Sequence, residues 1–283
     1  MEQNLTLPEG FQFSDGIIYG LTKEGLFHIK LHNPKQKNPI TIQLNAKLQE
    51  LLRYANTEEK VKVVLVYGAE GSFSSGAKVL GVSKEEILAM PLEDRIKFMV
   101  SFTLSFALLE KPLYYFIQGC AVGLMATSVA HADFAYATED AFFFTPFVSM
   151  NLGPEDLSSY TYPQIFGRKK ASELLYLDQR MTAQEALKYG HLNAIMKKED
   201  APNTEPIITD ISKLPNLQKL LKSDPKTLQY TKKMFIQGQD IDHMRKQVTS
   251  EFYRIESKKE TPEFWQNIQK FAAAIKNKDQ PKL

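Results

Sequence analysis

Three short β-like runs that alternate with helical ones constrain this chain more than any other feature. The run 25–32 (GLFHIKLH) has a strand's composition, and 61–68 (VKVVLVYG) is β-branched and closes at Gly68. The run 112–119 (PLYYFIQG) follows Pro112 and closes at Gly119. Between the first two, 44–55 places Leu44, Leu48, Leu51 and Leu52 on one helical face. Ser83 with Glu86 three residues on reads as a capping box. It opens a helix through Ile87, Leu88, Ala89 and Met90, which Pro91 ends or kinks before a longer apolar helix. Two more short strands, 133–138 and 141–146, flank a Glu139-Asp140 turn. After Gly153 the pattern is mainly helical. Thr182 with Glu185 is a second capping box, closed at Gly190, and Thr261-Pro262-Glu263 opens a last helix. Residues 201–217, bearing Pro and Asn, read as a linker. Strand–helix units followed by a helical tail predict an α/β core over 1–200 and a C-terminal helical region over 201–283.

Composition narrows the class. With 43% hydrophobic and 24% charged residues in 283, the chain is globular rather than disordered. Lys and Arg number 35 against 33 Asp and Glu, and the basic residues are scattered, so no nucleic-acid partner is expected. The single cysteine, Cys120, excludes an intrachain disulfide and a cysteine-based zinc site, and points to a reducing or thiol-neutral compartment. His28, His32, His131, His191 and His243 show no metal-binding spacing, so no metal is expected. The N-terminal residues lack the basic and apolar regions of a secretory signal and the Arg of a mitochondrial presequence. The longest apolar stretch, Phe98 to Leu109, is interrupted by Ser101, Thr103 and Ser105 and ends at Glu110. It is too short to span a bilayer, so no transmembrane segment is expected. The terminal Pro281-Lys282-Leu283 is similar to the peroxisomal address Ser-Lys-Leu. The expected location is the peroxisome, with the mitochondrion as the alternative.

Three segments carry the chemistry. GSFSSGAKVLG (71–81) follows the 61–68 strand, and its small residues let backbone N–H groups approach a ligand. QGCAVGLMA (118–126) places Gly119, Ala121 and Gly123 where a strand meets a helix, so that an N–H near Leu124 faces a cavity. In TPFVSMNLGPEDLSSYTYPQIFG (145–167), Pro154-Glu155-Asp156 reads as the first turn of a helix. Taken singly, each has an ordinary reading: a connecting loop, tight helix–strand packing, and acids complementing a helix dipole.

Taken in order, the three resemble the crotonase (enoyl-CoA hydratase/isomerase) superfamily over roughly residues 20–200, most of all its peroxisomal-type Δ3,Δ2-enoyl-CoA isomerases. FSSGA and QGCAVGL match the two oxyanion motifs, and residues 152–193 follow the isomerase pattern. The resemblance implies a crotonase (ClpP-like) fold of repeated ββα units with a C-terminal helical trimerisation region, giving homotrimers or hexamers. It also implies an acyl-CoA substrate in fatty-acid β-oxidation and no cofactor besides the coenzyme A thioester itself. The backbone N–H groups of Ala77 and Leu124 are the implied oxyanion hole, and Glu155 the implied proton carrier. Lys35, Lys37, Asn38, Ser74, Ser75, Gly76 and Lys78 match the positions that bind CoA. Lys35 and Lys37 read equally well as a solvated basic loop.

The position of a hydratase's first glutamate is Thr127, which favours an isomerase. Three departures point the other way: Lys78 replaces the usual Asp, Asp156 replaces Gly, and the loop before Glu155 is about two residues short. They leave open a catalytically degenerate subunit with a structural role in a larger assembly, possible partner proteins included. Phe252, Phe264, Trp265, Ile268 and Phe271, at helical spacings, are expected to cover the chain's own cavity or a neighbour's.

Overall fold

The three runs become neighbouring parallel strands. The computed structural model describes residues 6–276, with side chains to residue 273. Its strands are β1 (Phe11–Ser14), β2 (Ile17–Leu21), β3 (Leu26–Leu31), β4 (Val63–Gly68), β5 (Leu113–Ile117), β6 (Cys120–Val122), β7 (Phe134–Thr138), β8 (Phe142–Phe144), β9 (Met181–Thr182) and β10 (Ala194–Met196). The helices are α1 (Ile42–Thr57), α2 (Lys84–Ile87), α3 (Leu92–Ala107), α4 (Leu124–Thr127), α5 (Ser158–Tyr176), α6 (Ala183–Lys188), α7 (Leu217–Lys222), α8 (Pro225–Gln237), α9 (Ile241–Lys258) and α10 (Pro262–Lys276).

A seven-stranded sheet has the order β1-β2-β3-β4-β5-β7-β10, and a three-stranded sheet the order β6-β8-β9. In the larger sheet β1 to β3 are antiparallel, whereas β3, β4, β5, β7 and β10 run parallel, with Leu26 opposite Val63 and Tyr67 opposite Phe116. From β5 the chain passes directly into β6 and α4. From β7 it passes into β8 and then α5. These are the repeated ββα units that the resemblance implies. The strands on either side of Glu139-Asp140 thus belong to different sheets.

Parallel strands need both faces covered. Val64, Val66, Tyr115, Ile117, Ala135 and Ala137 enter the main core with residues of α1, α3 and α9. Their alternates Val63, Leu65, Tyr67, Tyr114, Phe116 and Tyr136 pack under Ile208, Leu214, Leu217 and Leu221. The stretch read as a linker is therefore a packed strap. Its backbone satisfies polar groups on the sheet: Tyr67 Oη accepts from Ile208 N–H (3.2 Å), and Tyr114 Oη donates to the Pro215 carbonyl (3.0 Å). Lys30 Nζ donates to Glu205 Oε2 (2.6 Å) and the Pro206 carbonyl (2.8 Å).

Local signals fared unevenly. The Thr182–Glu185 box is reciprocal, and Gly190 (φ +80°) closes α6. Ser83 Oγ does cap α2, yet α2 is one turn ending at Ile87, so Leu88, Ala89 and Met90 fall outside it. Pro91 instead precedes α3. Phe252, Phe264, Ile268 and Phe271 are buried within this chain.

Candidate active site

The two small-residue segments are zipped together by their backbones. Ser74 N–H donates to Cys120 O (2.9 Å) and Val122 N–H to Ser74 O (3.0 Å). Beside them Ile40 N–H donates to Gly76 O (2.8 Å) and Lys78 N–H to Ile40 O (2.9 Å). That bridge engages the amides flanking Ala77 and leaves the Ala77 N–H on the opposite side. At Leu124, the first residue of α4, the N–H has no intrahelical acceptor. Gly76 (φ +83°) makes the close approach possible, because a Cβ there would stand 2.5 Å from the Val122 carbonyl oxygen. Ala77 and Leu124 both line a cavity of about 260 Å³, together with Glu155.

Glu155 reaches the cavity from a turn, not from a helix. Asp156 (φ +58°) and Leu157 (φ +63°) are left-handed, so α5 starts only at Ser158 and the acids precede its first turn. Ser158 N–H donates back to Glu155 O (3.0 Å). The Glu155 Oε1 lies 3.4 Å from where a Cβ on Gly123 would stand, directly beside the residue that precedes Leu124. Burial pushes the Glu155 carboxyl up to about 8, and the charge of Asp156 adds to this while Lys259 opposes it.

Asp156 is fully buried and is absent from the cavity wall. Its Oδ2 is 3.2 Å from Thr127 Oγ1, and His131 Nε2 is 3.2 Å from its main-chain oxygen. Thr127 thus packs beneath the site, in contact with Asp156.

The expected CoA positions separate into three groups. Ser75, Gly76 and Lys78 line the cavity. Lys35 and Lys37 are exposed on the adjoining loop and do not line it. Asn38 and Ser74 are fully buried. Asn38 Nδ2 donates to Ser72 O (2.8 Å) and Ala69 O (3.2 Å), and its Oδ1 accepts from Asn33 N–H (2.8 Å). Ser74 Oγ donates to Asn38 O (2.6 Å) and accepts from Gly76 N–H (3.1 Å). The side chains of Asn38 and Ser74 hold the loop's shape through these bonds, and neither residue lines the cavity.

The sequence reading passed over a charged wall. Arg95, Glu256 and Lys259 line the cavity with Phe252 and Ile255. Arg95 Nε donates to Glu256 Oε2 (3.1 Å), its Nη2 to Glu260 Oε1 (2.8 Å) and its Nη1 to Met90 O (2.7 Å). Lys259 Nζ donates to Glu256 Oε1 (2.6 Å). The available signal was Glu256 falling on the stripe of Met244, Val248, Phe252 and Ile255, which α9 buries. Among the described residues no group of His, Cys, Asp or Glu could hold a metal ion, and no helix is long and apolar enough to cross a membrane.

The chain as a whole has relatives among known proteins. The chain is 33% identical over 188 residues to Enoyl-CoA delta isomerase 2 of Rattus norvegicus, covering 63% of this chain and 46% of that protein. It is 31% identical over 173 residues to Enoyl-CoA delta isomerase 3, peroxisomal, of Mus musculus, covering 60% and 53%. The match thus spans about half the length of these relatives. The crystal structure of an enoyl-CoA hydratase/isomerase from Pseudoalteromonas atlantica superposes with a TM-score of 0.77 at 20% identity, covering 95% of this chain and 100% of that one. That likeness establishes the crotonase fold. The sequence pattern of Enoyl-CoA hydratase/isomerase matches residues 21–278, and the chain belongs to that family.

Proposed function

We propose that the protein is a Δ3,Δ2-enoyl-CoA isomerase. The carrying observation is that one buried carboxyl, Glu155, lies beside Gly123 in a cavity lined by Ala77 and Leu124. The thioester oxygen of a 3-enoyl-CoA accepts hydrogen bonds from the Ala77 and Leu124 amides. Ionised Glu155 takes a proton from C2, and the electron pair delocalises into a dienolate over C2 to C4 and the oxygen. The amides stabilise that charge, each by about 2.7–4 kcal/mol. Glu155 then returns the proton to C4, and the double bond comes to rest between C2 and C3. Nothing is oxidised or hydrated and the carboxyl ends as it began, so the reaction needs no metal or redox group. A second acid, which hydration requires, has no counterpart at Thr127, whose hydroxyl faces Asp156.

CoA enters past Ser75, Gly76 and Lys78 of the cavity lining, with Lys35 and Lys37 on the neighbouring exposed loop. The setting is fatty-acid β-oxidation, in a homotrimer or a hexamer. Import into peroxisomes rests on Pro281-Lys282-Leu283, which lies outside the described residues. Deleting Leu283 is expected to leave the protein cytosolic, and unchanged punctate import would count against this.

The test of function is turnover of a 3-enoyl-CoA, followed by the absorbance of the conjugated 2-enoyl thioester. Conjugated product without 3-hydroxyacyl-CoA supports an isomerase. Tight thioester binding with no turnover would mean that the fold serves binding alone, and neither would favour a structural subunit.

A further inference from the structure

The helix that follows Glu155 has no cap of its own. Leu157, at the N-cap position, carries no polar side chain, and both it and Asp156 are left-handed. The amides that open a helix need acceptors from outside it. Here they come from α9. Glu251 Oε2 accepts from Leu157 N–H (2.8 Å), and Oε1 accepts from Ser159 N–H (3.1 Å) and from the Ser159 hydroxyl. Gln247, one turn earlier on α9, donates Nε2 to Ser159 Oγ (2.7 Å). Glu251 is 5% exposed and sits on a stripe shared with Met244, Val248, Phe252 and Ile255. A carboxylate is unfavourable in such surroundings unless it is hydrogen-bonded. Packing α9 against α3 gives no reason for one.

We propose that Glu251 is a positioning residue that locks the Asp156–Leu157 turn and thereby directs the Glu155 carboxyl into the cavity. The proposal rests on the reading of Glu155 as the proton carrier. The connection is short. Glu155 O accepts from Ser158 N–H (3.0 Å), so Glu155, the two left-handed residues and the capped amides form one turn. Two consecutive left-handed non-glycine residues persist only where surrounding contacts impose them. Glu251 itself does not line the cavity, whereas its neighbour Phe252 does. Its loss therefore acts on Glu155, chiefly through its alignment and to a lesser degree by removing a charge that helps raise its carboxyl, and leaves thioester contacts in place. A misplacement of about 1 Å at a reacting group lowers the rate by roughly 10²-fold.

The test uses the full chain with Glu251→Ala, Glu251→Gln and Ser159→Ala, read by amide hydrogen exchange and by isomerase kinetics. In Glu251→Ala, exchange over residues 155–160 should rise by at least about tenfold while β3 to β5 stay protected. Over the same change kcat should fall by about 10–100-fold with KM little changed. Glu251→Gln keeps one acceptor oxygen and should recover part of both effects. Ser159→Ala leaves the amides capped and should change each least. Unchanged exchange at 155–160 overturns the proposal whatever the activity, and so does a loosened turn with kcat intact. Should Glu251→Ala lose protection throughout the sheet, Glu251→Gln decides on the same readouts. A wild type that does not isomerise a 3-enoyl-CoA refutes the role of Glu155 alone. The exchange comparison then still decides whether Glu251 holds the turn.

Discussion

Glu155 must be ionised to take a proton, yet its surroundings favour the neutral form. Burial and Asp156 raise it from its ordinary range to about 8. A carboxyl raised in the folded state contributes stability below its unfolded pKa and loses it as pH rises through about 8. Activity runs the opposite way. We expect kcat/KM to rise roughly tenfold per pH unit below that value and to level above it. Asp156→Asn removes the adjacent charge and should move the break to lower pH, as a rate profile from about pH 6 to about pH 9.5 would show. A flat wild-type profile would mean that Glu155 does not set the rate. The contiguous Pro-Glu-Asp motif singles out Glu155 in the sequence, and the fold brings it into the wall of the cavity that Ala77 and Leu124 line. Its backbone was not legible, since two left-handed residues delay α5 and only the folded contacts around them impose that conformation. The resemblance expects Gly where Asp156 stands, and the left-handed φ of +58° explains why, since Asp tolerates that region better than most residues. Asn38 and Ser74 lie outside the cavity lining, which the sequence does not reveal, because polar side chains among small residues look alike whether they face a cavity or the loop's own backbone.

Among the elements, strands were readable and their covers were not. Runs such as VKVVLVYG reveal themselves by β-branching, and both alternating sets of their side chains are buried. The strap over 201–217 has no periodicity, because it binds through backbone N–H and carbonyl groups, the Glu205 carboxylate and scattered apolar anchors. Lys30 shows how firmly it is held. Its ammonium is fully buried in β3, with Glu205 as its counter-charge and the Pro206 carbonyl as a second acceptor. Glu205→Gln should destabilise the protein by about 1–3 kcal/mol, the penalty for a poorly satisfied buried donor. Urea denaturation would measure it, and KM for a thioester should not move, since neither residue lines the cavity. No change in stability would mean that the strap is held by its apolar anchors alone. The acids of α9 escaped notice for a related reason: a stripe read for aromatic residues hides Glu251 and Glu256 on the same face.

At the scale of the whole molecule, the larger sheet carries the scaffold, and the smaller one brings residues 74 to 77 beside 121 to 124. The C-terminal aromatics expected to cover a cavity or a neighbour lie mostly inside this chain, and Phe252 lines its own cavity. Apolar side chains are exposed at several places among the described residues, α8 being one of them. The helix α8 buries only Lys232 and exposes Tyr230, Met234 and Phe235. Sedimentation at micromolar concentration should show a trimer-based assembly, and Phe235→Glu should weaken it. A clean wild-type monomer would contradict that assembly. The central claim is that one carboxyl carries the proton, and Glu155→Gln tests it most directly. This change keeps the shape of the side chain and removes its basicity. With a 3-enoyl-CoA substrate, kcat should fall by at least about 10²-fold while the Kd for the thioester stays within a few-fold. Turnover retained near the wild-type rate would contradict it.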